Sequence, residues 1–394
     1  MDKIKNYINA ALCRDKADLV LKNASIVDVF SQRIIKGDVA IAGDMIVGIG
    51  EYSGICELDL SGMYVSPAFI DAHVHVESSK VIPHIFAEVL QKCGVMACIA
   101  DPHEIANVLG LDGIDFMIED SRNAAIDIYY MMPSCVPAVS FEDNGAQLGA
   151  DDLCKYASYD MVNGLGEVMD MSAVVSADDA LIKKLLVFKG KNIDGHCPGV
   201  DGLTLNACCS IGLETDHECT TFKQAEDEVF RGMYVMLKDI IPAVNDSNFH
   251  RFLFCTDDKD ITDLMTEGSI DHNVRLAVKY GLDPIKALTI ASLNPAQCYR
   301  LKRRGAVAPG YLADLIVLKD LRDFEINQTI RKGKITGYSD FSHIKNAACM
   351  PSMFINHIEE KMLKVKAESN MVNMINVTCG SLVTTKRVAE VSIE

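Results

Sequence analysis

From Ala17 to about Val65 the chain runs in short, mostly apolar segments: Leu19-Val20-Leu21, Ala24-Ser25-Ile26-Val27, Asp38-Val39-Ala40-Ile41 and Met45-Ile46-Val47, broken by Gly37, Gly43 and Gly50. Short apolar runs punctuated by glycine predict the strands of a small sheet. The same texture returns between Gly305 and Gly337, in Asp314-Leu315-Ile316-Val317-Leu318 and Ile330-Arg331-Lys332-Gly333-Lys334-Ile335. Two such stretches around a long middle predict one composite β-sandwich domain, assembled from residues 1–66 and 305–340.

The middle, residues 67–304, has a different rhythm. After Pro83, the residues Ile85, Phe86, Val89 and Leu90 share one face of a helix, and Val95-Met96-Ala97-Cys98-Ile99-Ala100 follows as a continuous apolar strand. Alternating strand and helix implies a parallel sheet with helices outside it. Polar residues collect where the apolar runs stop: at His73 and His75, Asp101-Pro102-His103-Glu104, Pro133-Ser134-Cys135, Glu167, His196, His217-Glu218, Lys238-Asp239 and Asp257-Asp258. These eight strand ends predict an α/β chain with a (β/α)8 TIM-like barrel, in which all strand C-termini open on the face that carries the active site. A doubly wound open sheet shares the alternation, but Gly164-Leu165-Gly166 lacks the third glycine of a dinucleotide loop.

Composition narrows the classes of partner. With 394 residues, 49% hydrophobic and 24% charged, the chain has room for one large domain and a smaller companion. A net charge of -17 opposes nucleic acid and anionic membranes, and the one basic triplet, Lys302-Arg303-Arg304, reads as a solvated turn. The 14 cysteines are scattered without a C-x-x-C, which fits neither a disulfide framework nor a zinc ribbon and suits a reducing cytoplasm. The segment Met1 to Asp15 has no apolar signal core, and no stretch approaches the roughly 18 apolar residues of a membrane span. The expectation is a cytoplasmic protein acting on a small molecule, with no nucleic-acid and no membrane partner.

Four histidines, His73, His75, His196 and His217, and two carboxylates, Glu167 and Asp257, stand at these strand ends. Imidazoles offer neutral nitrogen ligands, and a carboxylate can bridge two cations while partly neutralising them, so this set matches what a pair of divalent ions requires. Residues i and i+2 of a strand share a face, so His73 and His75 can grip one ion together. A lone His-x-His arises by chance, and each histidine taken singly has a bland reading as a buried, hydrogen-bonded side chain. Of ten histidines in the chain, however, five fall at predicted strand ends, His103 included. Rival motifs fail: His75-Val76-Glu77 has no P-C-x-x-C to complete a zinc deaminase signature, and His103-Glu104-Ile105-Ala106-Asn107 stops short of H-E-x-x-H. Neither a G-x-S-x-G elbow nor a phosphate loop occurs.

At these residues the chain resembles the adenine deaminases of the amidohydrolase superfamily. The resemblance runs from about Ala17 to Asp320 and is carried by Pro67-Ala68-Phe69-Ile70-Asp71-Ala72-His73-Val74-His75-Val76-Glu77-Ser78-Ser79, Asp101-Pro102-His103-Glu104-Ile105-Ala106-Asn107, Pro133-Ser134-Cys135-Val136-Pro137-Ala138, Asp194-Gly195-His196, Asp216-His217-Glu218 and Cys255-Thr256-Asp257-Asp258. It implies a binuclear site for manganese or iron, with zinc as a further option, that hydrolyses adenine to hypoxanthine and ammonia in a homo-oligomer. It also implies Glu167 as the bridging carboxylate, where many superfamily members use a carboxylated lysine, and Asp257 as a ligand that also moves a proton. Glu218 is the candidate for protonating the ring, or else a carboxylate that orients His217. His103 and Glu104 are candidates for substrate contact or a further ion, or for capping the helix that follows. Ser134 is a low-ranked substrate contact, Cys135 a pocket wall, and Lys238 a further substrate contact.

Two departures stand out. Where the family has Arg-Glu-Gly-Ser after the seventh strand, this chain has Lys238-Asp239-Ile240-Ile241, which leaves pocket fit open. Residues 341–394 read as a linker and the start of a further, shortened domain, with Met374-Ile375-Asn376-Val377 and Leu382-Val383-Thr384 as opening strands without partners. Another cyclic amidine or amide hydrolase of the superfamily, or a metal-binding paralogue without turnover, are the alternative readings.

Overall fold

The computed structural model describes residues 1–139, 142–237, 241–337, 357–364, 366, 369–377 and 384–391. After a helix at Asp2–Ala11 come five strands: β1 (Ala17–Asp28), β2 (Arg33–Ala42), β3 (Met45–Gly50), β4 (Gly54–Asp59) and β5 (Tyr64–Pro67). β1, β2 and β3 pair antiparallel in order. On its other edge β1 serves two partners, β4 along its first half and β5 along its second, both parallel. The division falls at Asn23, whose φ of 58° interrupts the β1–β2 register between Leu21 and Ala24. Asparagine tolerates this left-handed backbone better than most side chains.

Eight parallel strands follow: β6 (Phe69–Val74), β7 (Val95–Ala100), β8 (Asp127–Met132), β9 (Val162–Val168), β10 (Asn192–Gly195), β11 (Thr215–Asp216), β12 (Tyr234–Leu237) and β13 (Phe252–Phe254). Each pairs with the next, and Val74 bridges to Asp257, just past β13. The Asp257 amide donates to the His73 carbonyl at 2.9 Å, and the His75 amide donates to the Asp257 carbonyl at 3.3 Å. The ring therefore closes through residues at the predicted metal site.

Period-two alternation explains why these strands read as unbroken apolar runs. Ile70, Ala72, Ala97, Ile99, Met131, Met236 and Leu253 pack in one inner cluster with Tyr299 and Leu301. Their neighbours Phe69, Val95, Met96, Cys98 and Ala100 pack instead with helix residues such as Phe86 and Leu90. Both faces of the sheet are buried, as a barrel requires. The helix Pro83–Lys92 and the strand at Val95–Ala100 both lie where the apolar pattern puts them.

Three more strands, β14 (Leu315–Leu318), β15 (Ile326–Arg331) and β16 (Lys334–Ile335), return to the first sheet. β14 pairs antiparallel with β5, so both flanks of the barrel build one sheet in the order β16-β15-β14-β5-β1-β2-β3. Asp127, at the start of β8, ties this sheet to the barrel. It accepts from Arg304, from Arg331 at 3.0 Å and from Lys332 at 2.8 Å.

Met371–Asn376 pairs antiparallel with Thr385–Glu390 as a separate two-stranded ribbon, largely exposed. The first of the two expected strands thus has a partner; the second begins at Thr385, and Leu382 and Val383 lie outside the described residues. Among the described residues no helix is long and apolar enough to cross a membrane.

Candidate metal centre

His73 and His75 stand two residues apart at the end of β6, past an irregularity in its pairing with β7, and both side chains turn to one centre. His73 and His75 are buried, and their Nε2 atoms stand 3.0 Å apart. Asp257 Oδ1 faces both, 3.4 Å from His73 Nε2 and 3.2 Å from His75 Nε2. Ligand atoms each about 2.1 Å from one ion stand roughly 3.0–3.4 Å apart, so the three atoms fit a shared cation. The Nδ1 atom of His75 faces the Asp101 carbonyl at 3.0 Å, which sets the ring so that Nε2 points inward.

Glu167, near the end of β9, divides its two oxygens. Oε1 lies 3.5 Å from His75 Nε2, whereas Oε2 lies 2.8 Å from His196 Nδ1 and 3.1 Å from His217 Nε2. One carboxylate thus faces two separate groups of nitrogen ligands. The His73 and His217 rings stack at 4.2 Å, and burial together with the neighbouring His73 lowers the pKa of His217. Burial would raise Glu167, but its hydrogen bonds to His196 and His217 outweigh it and hold the carboxyl well below its ordinary value. Asp257 is likewise lowered, burial being overcome by His73 and His75. Both carboxylates stay ionised, and although burial would lower His75 and His196, Asp257 beside the one and Glu167 beside the other raise both imidazoles above their ordinary value. A divalent cation would displace such protons and take the nitrogens and oxygens together as a donor set that fits it.

All six residues read from the sequence as ligands come together here. His103 joins them, its Nδ1 3.5 Å from Glu167 Oε1 and 3.6 Å from Asp101 Oδ1. Burial would lower the His103 pKa, but the Asp101 contact carries it up to about 9. Glu218 Oε1 lies 3.5 Å from His217 Nε2 and 4.0 Å from His196 Nδ1, so it faces the inward nitrogens rather than backing the His217 ring. The His196 side chain is 28% exposed against 1% for His217, so the centre opens on the His196 side.

Other expectations fare differently. Glu104 stands near Ser78, which donates to Asp258 and lies 3.4 Å from Glu104 Oε1. Glu104 does stand in the first turn of the helix His103–Leu109, where a carboxylate is favourable, while the hydrogen bond to the helix N-terminus comes from Glu77, whose Oε1 accepts from the Ile105 amide at 3.1 Å. Ser134 spends its hydroxyl on the Glu167 backbone carbonyl. Cys135 borders a cavity of about 730 Å³, and burial raises its thiol pKa, which suits a wall and not a nucleophile. Lys238 and Asp239 lie outside the described residues.

Buried aspartates were missed. Asp71 accepts from the amide and hydroxyl of Thr256, just before Asp257. Asp101 Oδ2 accepts from the Glu167 amide at 2.9 Å, and Asp216 accepts from the amides of Cys197 and Glu218, each next to a histidine of the centre. Asp194 receives Thr215 and Tyr299 hydroxyls. A signal existed for two of them: Asp71-Ala72-His73 and Asp194-Gly195-His196 repeat an aspartate two residues before a histidine. Gly166 serves Asp101, because a Cβ there would fall 2.0 Å from Asp101 Oδ2.

Residues 64–246 and 235–336 match the model of the amidohydrolase family. The chain belongs to the amidohydrolase family. Within it, this amidohydrolase falls in the adenine deaminase family. It is 41% identical over 399 residues to the adenine deaminase of Clostridium acetobutylicum, covering 97% of this chain and 70% of that one. It is 47% identical over 343 residues to that of Geobacillus kaustophilus, covering 84% of this chain and 59% of the relative. The chain thus spans under two thirds of the second protein's length and somewhat more of the first. Among solved structures, atrazine chlorohydrolase from Arthrobacter aurescens complexed with zinc superposes with a TM-score of 0.62 at 13% identity, over 80% of this chain and 94% of that one. At that identity the likeness speaks for the barrel fold alone.

Proposed function

We propose that this amidohydrolase converts adenine and water to hypoxanthine and ammonia at a pair of divalent ions. His73, His75 and Asp257 would hold one ion, His196 and His217 would hold the other, and Glu167 would serve both. The observation that carries this reading is the division of the Glu167 oxygens between the two groups. The substrate is supported by the 41% and 47% identities to curated adenine deaminases.

Two divalent ions, when bound, make a water acidic enough to attack at neutral pH. Asp257, ionised and facing His73 and His75, would accept one proton of the attacking water as its oxygen adds to C6 of the purine, and pass that proton to the departing amine. Glu218, on the inner side of His217, would deliver a proton to ring nitrogen N1, making C6 electrophilic, and would recover a proton from the C6 hydroxyl as the carbonyl forms and ammonia leaves. His103 and Glu104, just past the end of β7, would contact the substrate. The buried aspartates hold the backbone on either side of the ligands and so fix their aim.

Manganese or iron suits the mixed nitrogen and carboxylate set, and zinc is a further option. A cytoplasmic homo-oligomer, divided at residues 1–66, 67–304, 305–340 and 341–394, completes the reading. The test is to load the purified protein with manganese or iron and follow the ultraviolet band of adenine. Hypoxanthine and ammonia in equal amounts are expected. No product under any metal condition would remove the assignment, and ammonia from a different heterocycle would move it to another cyclic amidine hydrolase.

A further inference from the structure

Lys184, in the helix Asp179–Val187, is 6% exposed and has no carboxylate within 4.0 Å of its ammonium among the described residues. Its Nζ donates to the carbonyl of Ser134 at 2.7 Å. An ammonium buried without a counter-charge is costly, and burial accordingly lowers its pKa. An apolar side chain would fill the same helix position without that cost, so what the ammonium holds is informative.

It holds a serine that holds the bridging glutamate. Ser134 is 5% exposed, and its hydroxyl donates to the backbone carbonyl of Glu167. The Glu167 amide is taken at the same time by Asp101 Oδ2, at 2.9 Å. Both backbone groups of Glu167 are therefore gripped by side chains from the two preceding strand ends. The Asp101 side of this grip is packed within the barrel, under Gly166. The Ser134 side is not: Ser134 and Cys135 border the cavity of about 730 Å³, so packing leaves their loop unsupported on that flank, and Lys184 lines the same cavity.

We propose that Lys184 is a positioning residue for the metal centre: through Ser134 it fixes the backbone of Glu167 and so keeps the two carboxylate oxygens divided between the two histidine groups. The inference rests on the binuclear reading above. Partners that orient metal ligands are worth about ten- to a hundredfold in metal affinity.

The test measures manganese affinity by competition with a chelator, alongside thermal unfolding of the metal-free proteins. Wild type is titrated first, and failure to take up two ions would overturn the binuclear reading itself, before Lys184 is in question. Given two ions, Lys184→Met and Ser134→Ala are each expected to weaken binding about ten- to a hundredfold, with the double variant no weaker than the worse single. Lys184→Arg, which keeps a donor, should recover most of the affinity. If Lys184→Met does not fold, Ser134→Ala decides alone. Wild-type affinity in the single variants, with only a lowered melting temperature, would overturn the proposal and leave the binuclear reading standing. Independent, multiplying losses in the double variant would also overturn it.

Discussion

Asp257 and His73 meet twice: the Asp257 amide donates to the His73 carbonyl at 2.9 Å, and the Asp257 carboxylate faces His73 Nε2 at 3.4 Å. The backbone contact closes the barrel and the side-chain contact builds the centre. Asp257 adopts φ 55°, a left-handed backbone that aspartate accepts more readily than most residues, and strain of this kind collects at functional sites. Asp257→Asn keeps the backbone contact and removes the charge. Its melting temperature should stay close to wild type while kcat falls at least about a hundredfold. Near-normal turnover would take Asp257 out of proton transfer.

Glu167→Gln replaces an oxygen that faces one histidine group or the other by an amide nitrogen that cannot ligate. Bound metal, measured by elemental analysis, should fall from two ions per chain to one or none. Retention of two would show that Glu167 does not bridge.

Gly166→Ala places a methyl group where Asp101 Oδ2 now accepts from the Glu167 amide. Either Asp101 moves or β9 does. Forcing extra volume into a packed interior costs about 1–3 kcal/mol. Chemical denaturation should show that loss together with weaker metal binding; an unaltered midpoint and affinity would mean that Asp101 has room to yield.

Asp127 links the flanking sheet to the barrel by its contacts with Arg304, Arg331 and Lys332. Burial alone would raise its pKa, but Arg304, Lys332 and Arg331 outweigh it and the folded value is lowered. A lowered carboxylate pKa stabilises the fold fully above the unfolded value near 3.9, and that contribution is lost as the pH falls through the folded value. Asp127→Asn should therefore cost about 2 kcal/mol at pH 7, as expected of hydrogen bonds to charged groups. The gap to wild type should close as unfolding is followed into acid. A constant gap across pH would point to packing and not to charge.

The barrel was legible because strands buried on both faces carry unbroken apolar runs, as in Val95–Ala100, and because polar residues appear where such runs stop. The ligand set was legible for the same reason: each of His73, Glu167, His196 and Asp257 ends a strand. What stayed hidden depends on distance across the fold. Nothing in Asp101 or Asp216 announces that its carboxylate holds the backbone beside a ligand on another strand. Glu77 joins Glu104 at the start of that helix because the turn after β6 swings it over the Ile105 amide, a placement that local spacing does not encode. Ser134 faces the Glu167 carbonyl and not the open centre, which only the packing of β8 against β9 decides.

The closure at Val74 and Asp257 joins positions at opposite ends of the barrel's order of synthesis. While the chain is being made, His73 and His75 emerge early and wait for β13 and Asp257 before three ligands can meet. No partial barrel contains that trio, so an ion held by all three is evidence of completed assembly. An ion there would stabilise only molecules whose last strand has found its first, whereas one at Glu167, His196 and His217 would not wait for that closure.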